Sequence, residues 1–273
     1  MLRLSVSELS TMKWSFEEDV LHYHSAGYSA IGIWLPKLAA FGEEKGVELL
    51  REYGLAISSI QSIGGFTGCD GRSYRHSMYH ALDAIQLAAD IGAQTVTVIT
   101  GGRGGHTDRH SKRILLTALR ILAEAAQAVG IQLALEPMHV GCSRNISFIN
   151  TIPQCLDIIG EVGNPHLGMV FDCYHLAQEA TILHRLESIV PHVRLVQLGD
   201  ARQAPSGVQN RCMLGQGCVP LSKIVTVFQR CGYRGFYEIE ISGRDVDHLR
   251  YEQILGYSRF AASQWQQTVN VSL

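Results

Sequence analysis

Short apolar runs alternate along the chain with longer segments in which apolar residues recur at helical spacing. The short runs are bounded by glycine, proline or polar residues, a pattern typical of buried β-strands. The longer segments are typical of amphipathic helices that pack one face against a sheet. Eight strands are predicted, at residues 3–7, 30–34, 56–61, 96–99, 132–136, 168–171, 193–198 and 235–240. A helix follows each strand, at residues 15–26, 43–53, 74–91, 107–129, 152–162, 182–190, 221–230 and 245–265.

This strand–helix alternation predicts a parallel sheet covered by helices, because the connections are short and the strands mostly apolar. Eight units in 273 residues favour one closed (β/α)8 TIM barrel with a C-terminal helix over an open doubly wound sheet. The glycine-rich loops at 64–68 and 101–105 lack the Gly-x-Gly-x-x-Gly pattern, and there is no Walker A motif. No linker or shift in composition divides the chain, so residues 1–273 are predicted to form a single domain.

Composition narrows the class of protein further. The formal net charge of -2 and the lack of a basic run give no support for nucleic-acid or membrane binding. The seven cysteines are odd in number and never spaced Cys-x-x-Cys, which favours reduced thiols in a cytoplasmic protein. The N-terminus lacks the apolar core of a signal peptide, and charged residues interrupt the long apolar stretch at 114–135.

Polar side chains end four neighbouring predicted strands: Glu136, Asp172, Gln197 and Glu240. In a TIM barrel the carboxyl ends of the strands carry the chemistry. Three carboxylates converging on a dry site repel one another unless a cation lies between them. Oxygen donors without clustered cysteines suit one divalent ion, Mn²⁺, Mg²⁺, Co²⁺ or Zn²⁺. Each acid alone could instead form a rim salt bridge or cap a helix, as Asp172 could cap the helix after it.

A fourth acid, Glu238, lies two residues before Glu240, so both side chains point to the same side of the strand. Glu240 is nearer the strand end and is the preferred metal ligand. The other acid is expected deeper in the barrel or held by an arginine.

Five segments around these strand ends form motifs, at residues 135–137, 171–175, 196–200, 211–217 and 232–240. Their sequences are Leu-Glu-Pro, Phe-Asp-x-Tyr-His, Val-Gln-Leu-Gly-Asp, Arg-x-Met-Leu-Gly-Gln-Gly and Gly-Tyr-x-Gly-x-Tyr-Glu-Ile-Glu. Together they resemble the sugar phosphate isomerase/epimerase superfamily, the xylose isomerase-like TIM barrels. The resemblance covers the whole chain and is most specific after residue 133. The superfamily includes tagatose/psicose 3-epimerases, hydroxypyruvate isomerase, inositol-catabolic isomerases and dehydratases, and endonuclease IV.

The chain departs from parts of this superfamily at identifiable positions. The third ligand is most often histidine in the epimerases, whereas Gln197 matches the hydroxypyruvate isomerase-like branch. The acid that follows the first ligand in the 3-epimerases falls near Cys142, with His139 as the nearby polar group, which disfavours a 3-epimerase of free ketoses. The extra histidines of endonuclease IV are missing on strand seven and before the last strand, which disfavours a nuclease.

The resemblance implies a metal-dependent isomerase or epimerase of a sugar, sugar phosphate or keto acid. Glu136 and Glu240 would exchange a proton next to the substrate carbonyl, through an enediolate. His175 and Arg211 would hold substrate oxygens, although His175 could be a core histidine and Arg211 a solvated loop charge. The competing classes are a keto-inositol dehydratase, an endonuclease IV-like nuclease and a non-catalytic sugar-binding barrel. Superfamily members include dimers and tetramers, so a homodimer or homotetramer is expected.

Further substrate-binding candidates lie on other loops. His139 follows strand five, and Trp34 and Gln61 end strands two and three, where they could line the pocket. The alternative for Trp34 is simple packing. His106 and Arg103 follow a glycine-rich loop that opens a helix, which is either an anion site or only a turn.

Overall fold

The computed structural model describes residues 2–142, 145–177, 181–207 and 209–270, with side chains up to residue 265. Eight parallel strands close into a barrel in sequence order, which confirms the predicted (β/α)8 fold. The strands are β1 (Leu4–Ser7), β2 (Ala30–Trp34), β3 (Ala56–Gly64), β4 (Thr95–Ile99), β5 (Gln132–Leu135), β6 (Leu167–Asp172), β7 (Val193–Leu198) and β8 (Tyr237–Ile239).

Helices surround this barrel, and among the described residues none is long and apolar enough to cross a membrane. They are α1 (Phe16–Ser25), α2 (Leu35–Phe41), α3 (Glu43–Glu52), α4 (Tyr74–Ile91), α5 (Asp108–Val129), α6 (Ile152–Val162), α7 (Cys173–Leu176), α8 (Ile182–Ile189), α9 (Leu221–Arg230) and α10 (Tyr251–Asn270). The described residues also form short 3₁₀ helices at Glu8–Thr11 and Val190–His192.

The helix boundaries follow local capping chemistry. The side chains of Ser15, Ser73, Thr107 and Thr151 each accept a hydrogen bond from a backbone N–H in the first turn of α1, α4, α5 and α6. Gly92, Gly130 and Gly163 end α4, α5 and α6 in the left-handed conformation that glycine adopts without strain. These signals are local, so α4 and α6 match their predicted bounds.

Helices α2, α7 and α10 differ from the prediction, and the single turn of α7 after β6 was not predicted as a separate helix. Helix α2 was not predicted, because Pro36 was interpreted only as the end of β2. Proline also fits the first turn of a helix, where no intrahelical N–H bond is needed, and Pro36 occupies that place in α2. The C-terminal helix begins at Tyr251 rather than near residue 245, after a segment of turns.

The register of the strands places polar residues in one layer of the barrel interior. Asp172 pairs with Gln197, and Gln197 pairs with Glu238. Residues paired across parallel strands lie at the same height and point to the same side. Val170, Leu195 and Phe236 lie two residues earlier on the same strands, and they form a separate buried apolar cluster with Ala30 and Ala134. The polar layer therefore rests on a packed apolar floor.

Candidate metal centre at the barrel mouth

Three side chains that can bind a metal meet at the carboxyl ends of β5 and β6. Glu136 directly follows β5, Asp172 ends β6, and His175 lies in the single turn of α7. Each offers a ligand atom, and these atoms all lie within 4.8 Å of one another. All three residues are buried. The structure thus brings together two predicted ligands and one residue predicted to hold substrate.

Asp172 has two roles because its two oxygens face different groups. Oδ1 accepts a hydrogen bond from the backbone N–H of Tyr174 at 2.8 Å and so caps α7. Oδ2 accepts one from Arg211 at 2.7 Å and lies 3.7 Å from His175 Nε2. The helix cap considered for Asp172 is therefore present, and it leaves the second oxygen directed into the site.

Gln197 and Glu240 adjoin this group from β7 and the end of β8. Gln197 Nε2 donates to Glu240 Oε2 at 2.8 Å, and Arg211 lies 3.0 Å from Glu240 Oε1. Gln197 Oε1 and His175 Nε2 are buried atoms that have no hydrogen-bond partner among the described residues. Two such atoms beside converging carboxylates suit a cation, and the mixed oxygen and nitrogen donors fit a divalent ion.

Arg211 is fully buried, and its guanidinium links the acids of the site. It bonds to Asp172 and Glu240, donates to the side chain of Gln209 and lies over the ring of Tyr174 at 4.4 Å. It was predicted to hold substrate oxygens, with a solvated loop charge as the alternative, which its burial contradicts. The structure places it as the counterion of two predicted ligands.

Burial shifts the ionisation of these groups. It raises the pKa of Glu136 well above the ordinary range, and the charges of Glu240 and Asp172 raise it further. Burial also raises the pKa of Glu240 to about 7, although Arg211 opposes the change. Burial lowers the pKa of His175 to about 4, so its ring is neutral at pH 7 and can donate a lone pair. Burial favours neutral Arg211, but the nearby carboxylates outweigh it and raise its pKa.

The remaining predicted substrate residues lie on other strands and loops of the barrel. Gln61 donates to Glu238 at 2.6 Å, below the mouth. Trp34 is half-buried, His139 accepts from the N–H of Gly141 within its own loop, and the ring of His106 packs 4.7 Å from that of His110. In the described part of the chain, no hydrogen bond joins Trp34, His139 or His106 to the four predicted ligands.

Asp200 holds the loop that carries Arg211, a role that was not predicted. Its carboxylate accepts hydrogen bonds from four backbone N–H groups, of residues 201, 215, 217 and 219. A side chain at Gly217 would place its Cβ 2.1 Å from Asp200 Oδ1, so glycine is required there. The sequence contains both Asp200 before the loop and the glycines at residues 215 and 217 near its end, but it does not show that they contact each other.

A second cluster of buried charged residues, formed by Glu8, Asp19 and Lys37, was also not predicted. Lys37 pairs with Asp19, whose other oxygen accepts from Thr11 at 2.6 Å. Glu8 lies beside Asp19 and accepts the N–H of Trp34 at 2.7 Å. Burial raises the pKa of Glu8 to about 9, and the charge of Asp19 contributes in the same direction. Glu8 is therefore protonated at neutral pH.

Glu8→Gln should make stability less dependent on pH. Unfolded Glu8 ionises near its ordinary pKa of 4.5 and folded Glu8 near 9, so between these values the folded state binds more protons. The free energy of unfolding then falls with rising pH, by at most about 1.4 kcal/mol per pH unit for one group. Glutamine mimics the protonated acid and does not titrate, so the variant should gain stability relative to the wild type as pH rises.

Urea unfolding at about pH 5, 6.5 and 8 measures this difference within the window that linkage defines. Glu17→Gln removes an exposed carboxylate nearby and reports the effect of net charge alone. A stability difference between Glu8→Gln and the wild type that stays constant across these pH values would refute the assignment.

The fold and the site together define a (β/α)8 barrel with buried carboxylates and a histidine at the carboxyl ends of its strands. The chain belongs to the xylose isomerase-like TIM barrel family, whose model matches residues 21–262. This match confirms the resemblance found in the motifs.

Several curated relatives share part or all of this barrel. An inosose isomerase of Halalkalibacterium halodurans is 26% identical over 149 residues, which is 53% of this chain and 51% of that protein. An inosose isomerase of Bacillus velezensis is 21% identical over 93% of both chains. A 3-dehydroshikimate dehydratase of Pseudomonas putida is 23% identical over 80% of this chain. The match spans only 34% of that longer protein.

Solved structures show the same fold at low identity. A protein of Sinorhizobium meliloti superposes with a TM-score of 0.87 and 23% identity, covering 96% of this chain and 98% of that one. The IOLI protein, solved with a zinc atom bound, gives a TM-score of 0.83 and 18% identity over 98% and 99% of the two chains. These likenesses support the fold alone.

Proposed function

We propose that this protein is a divalent-metal-dependent isomerase or epimerase that moves a proton next to the carbonyl of a sugar or sugar derivative. The observation that carries the proposal is the convergence of Glu136, Asp172 and His175, with Gln197 and Glu240 adjoining, in a buried site at the carboxyl ends of the strands. The family match and the relatives named inosose isomerase support it.

The residues proposed to hold the ion are Glu136, Asp172, Gln197 and Glu240, with His175 as a further candidate. The buried, unpartnered atoms Gln197 Oε1 and His175 Nε2 support this donor set. When bound, a divalent ion would act as a Lewis acid that polarises the substrate carbonyl and acidifies the neighbouring C–H.

Glu136 and Glu240 are proposed to move the proton. They lie at the ends of β5 and β8, so they can approach the substrate from different sides of the site. One of them, ionised, would take the proton, and the other, protonated, would supply a proton to the same carbon in an epimerase or to the neighbouring carbon in an isomerase. Arg211 would keep Asp172 and Glu240 in place while substrate binds. Because the acids are buried, bulk water is kept from the intermediate.

A dehydratase is the second candidate, because one relative is named 3-dehydroshikimate dehydratase. It would use one acid to remove a proton next to a carbonyl, and the hydroxyl on the adjacent carbon would then leave as water with a proton from the other acid. The two candidates differ in the mass of the product.

The test begins with elemental analysis of the purified protein for bound metal. The metal-loaded protein is then incubated in D2O with a panel of ketoses, sugar phosphates and keto-inositols, and products are read by NMR and mass spectrometry. Deuterium uptake next to the carbonyl without loss of water supports an isomerase or epimerase, and loss of water supports the dehydratase. Binding without exchange would indicate a sugar-binding barrel, and a protein that takes up neither metal nor deuterium would contradict the proposal.

A further inference from the structure

Glu238 is a fully buried acid that the proposed reaction does not use. It lies on β8 two residues before Glu240 and pairs in register with Gln197 on β7 and Ser5 on β1. Its side chain therefore points into the barrel, one level below the carboxylate of Glu240. An ionised acid at such a depth is costly unless it is well bonded.

The barrel provides a dedicated pocket for this carboxylate. Ser58 and Ser59 each place a hydroxyl 2.7 Å from Glu238 Oε2, and Gln61 donates to Oε1 at 2.6 Å. A Cβ at Gly32 would lie 2.2 Å from Oε2, so β2 lacks a side chain where the carboxylate lies. Burial raises the pKa of Glu238, and these hydrogen bonds oppose the change.

The fourth donor to Glu238 connects this pocket to the metal centre. Gln197 Nε2 lies 3.4 Å from Glu238 Oε1 and 2.8 Å from Glu240 Oε2. An amide can rotate so that either its NH2 or its oxygen occupies this position. An oxygen facing two carboxylate oxygens would be repelled, so the two acids hold the NH2 end between them. The carbonyl Oε1 is then directed away from both acids, and it is a buried atom without a hydrogen-bond partner in the described residues.

We propose that Glu238 is a positioning residue that fixes the amide of Gln197, so that Gln197 Oε1 serves as a neutral ligand for the divalent cation. The inference rests on the proposed function, because it assigns a role within the same metal centre. Glutamine needs such a partner because only one end of its amide can bind a cation. Outer-shell partners of this kind orient ligands and contribute to metal affinity.

The test is a double-mutant cycle read by Co²⁺ binding, measured by competition with a chromogenic chelator and by the visible absorption of bound Co²⁺. Glu238→Met, which removes both carboxylate oxygens, should weaken Co²⁺ binding by about 10–100-fold. The same substitution in a Gln197→Ala background should cause no further loss, because the residue through which Glu238 acts is gone. Thr97→Val removes a buried hydroxyl that bonds to β3 and should leave Co²⁺ affinity unchanged.

The outcomes distinguish a failure of the proposed metal-dependent function from a failure of the role proposed for Glu238. If the wild type binds no Co²⁺, Mn²⁺ or Zn²⁺, the proposed metal-dependent function fails, and this inference fails with it. If the wild type binds Co²⁺ and Glu238→Met binds it equally well, only the role of Glu238 is overturned. An equal loss of affinity in both backgrounds also overturns it, since Glu238 would then act through the general structure. If circular dichroism shows that Glu238→Met is unfolded, Glu238→Asp goes through the same cycle, because it keeps the charge but moves it one methylene away from Gln197.

Discussion

Glu136→Gln should lower the rate of deuterium exchange by about 10²–10⁴-fold, the usual contribution of a general acid or base. Glutamine keeps the shape of the side chain but can neither accept nor return the proton at this position. The measurement is exchange into the most reactive sugar of the panel, at a metal concentration that saturates the variant. Saturation separates the loss of the proton-transferring group from the loss of a ligand.

The stability of the same variant distinguishes a site effect from misfolding. Burial and the charges of Glu240 and Asp172 raise the pKa of Glu136, so its ionised form is unfavourable in the folded protein. A neutral isostere removes this repulsion, and the metal-free variant should be at least as stable as the wild type. Glu124→Gln, on the exposed face of α5, should change neither exchange nor stability. Undiminished exchange by saturated Glu136→Gln would contradict the assignment of the proton to this residue.

The sequence could predict the parts of this protein that depend on local chemistry. Strand β7 and helix α9 match their predicted bounds because apolar periodicity and glycine or proline signals coincide there. The convergence of side chains at the strand ends was predictable from the fold itself. In a parallel barrel every carboxyl end lies on one face, so Glu136, Asp172 and Glu240 had to approach each other.

The features that the sequence did not predict depend on contacts between residues far apart in the chain. Arg211 lies 13 positions after the end of β7, and its burial between Asp172 and Glu240 requires the loop that Asp200 anchors. The cluster of Glu8, Asp19 and Lys37 contradicts the usual exposure of charged side chains, so no pattern in the sequence indicated it. His175 was expected to hold substrate, and only its position in the turn of α7 places it with the possible ligands. The assignment of ligands to a metal stays a prediction.

Arg211→Met should lower the free energy of unfolding by about 3–5 kcal/mol, the usual cost of removing one partner from a buried ion pair. The substitution keeps most of the apolar length of the side chain but leaves Asp172 and Glu240 buried without their counterion. Urea unfolding of the metal-free protein at neutral pH measures the loss. Arg230→Met is the matched control, because Arg230 pairs with Glu187 on the surface, where an ion pair contributes about 0–1 kcal/mol.

The acids that Arg211 neutralises can be identified by a second substitution. Adding Glu240→Gln to Arg211→Met removes one of the uncompensated charges, so the double variant should be more stable than Arg211→Met alone. If the stabilities of the two variants are equal, the loss does not come from the charge of Glu240. If Arg211→Met loses no more stability than Arg230→Met, the guanidinium is not the counterion of the site.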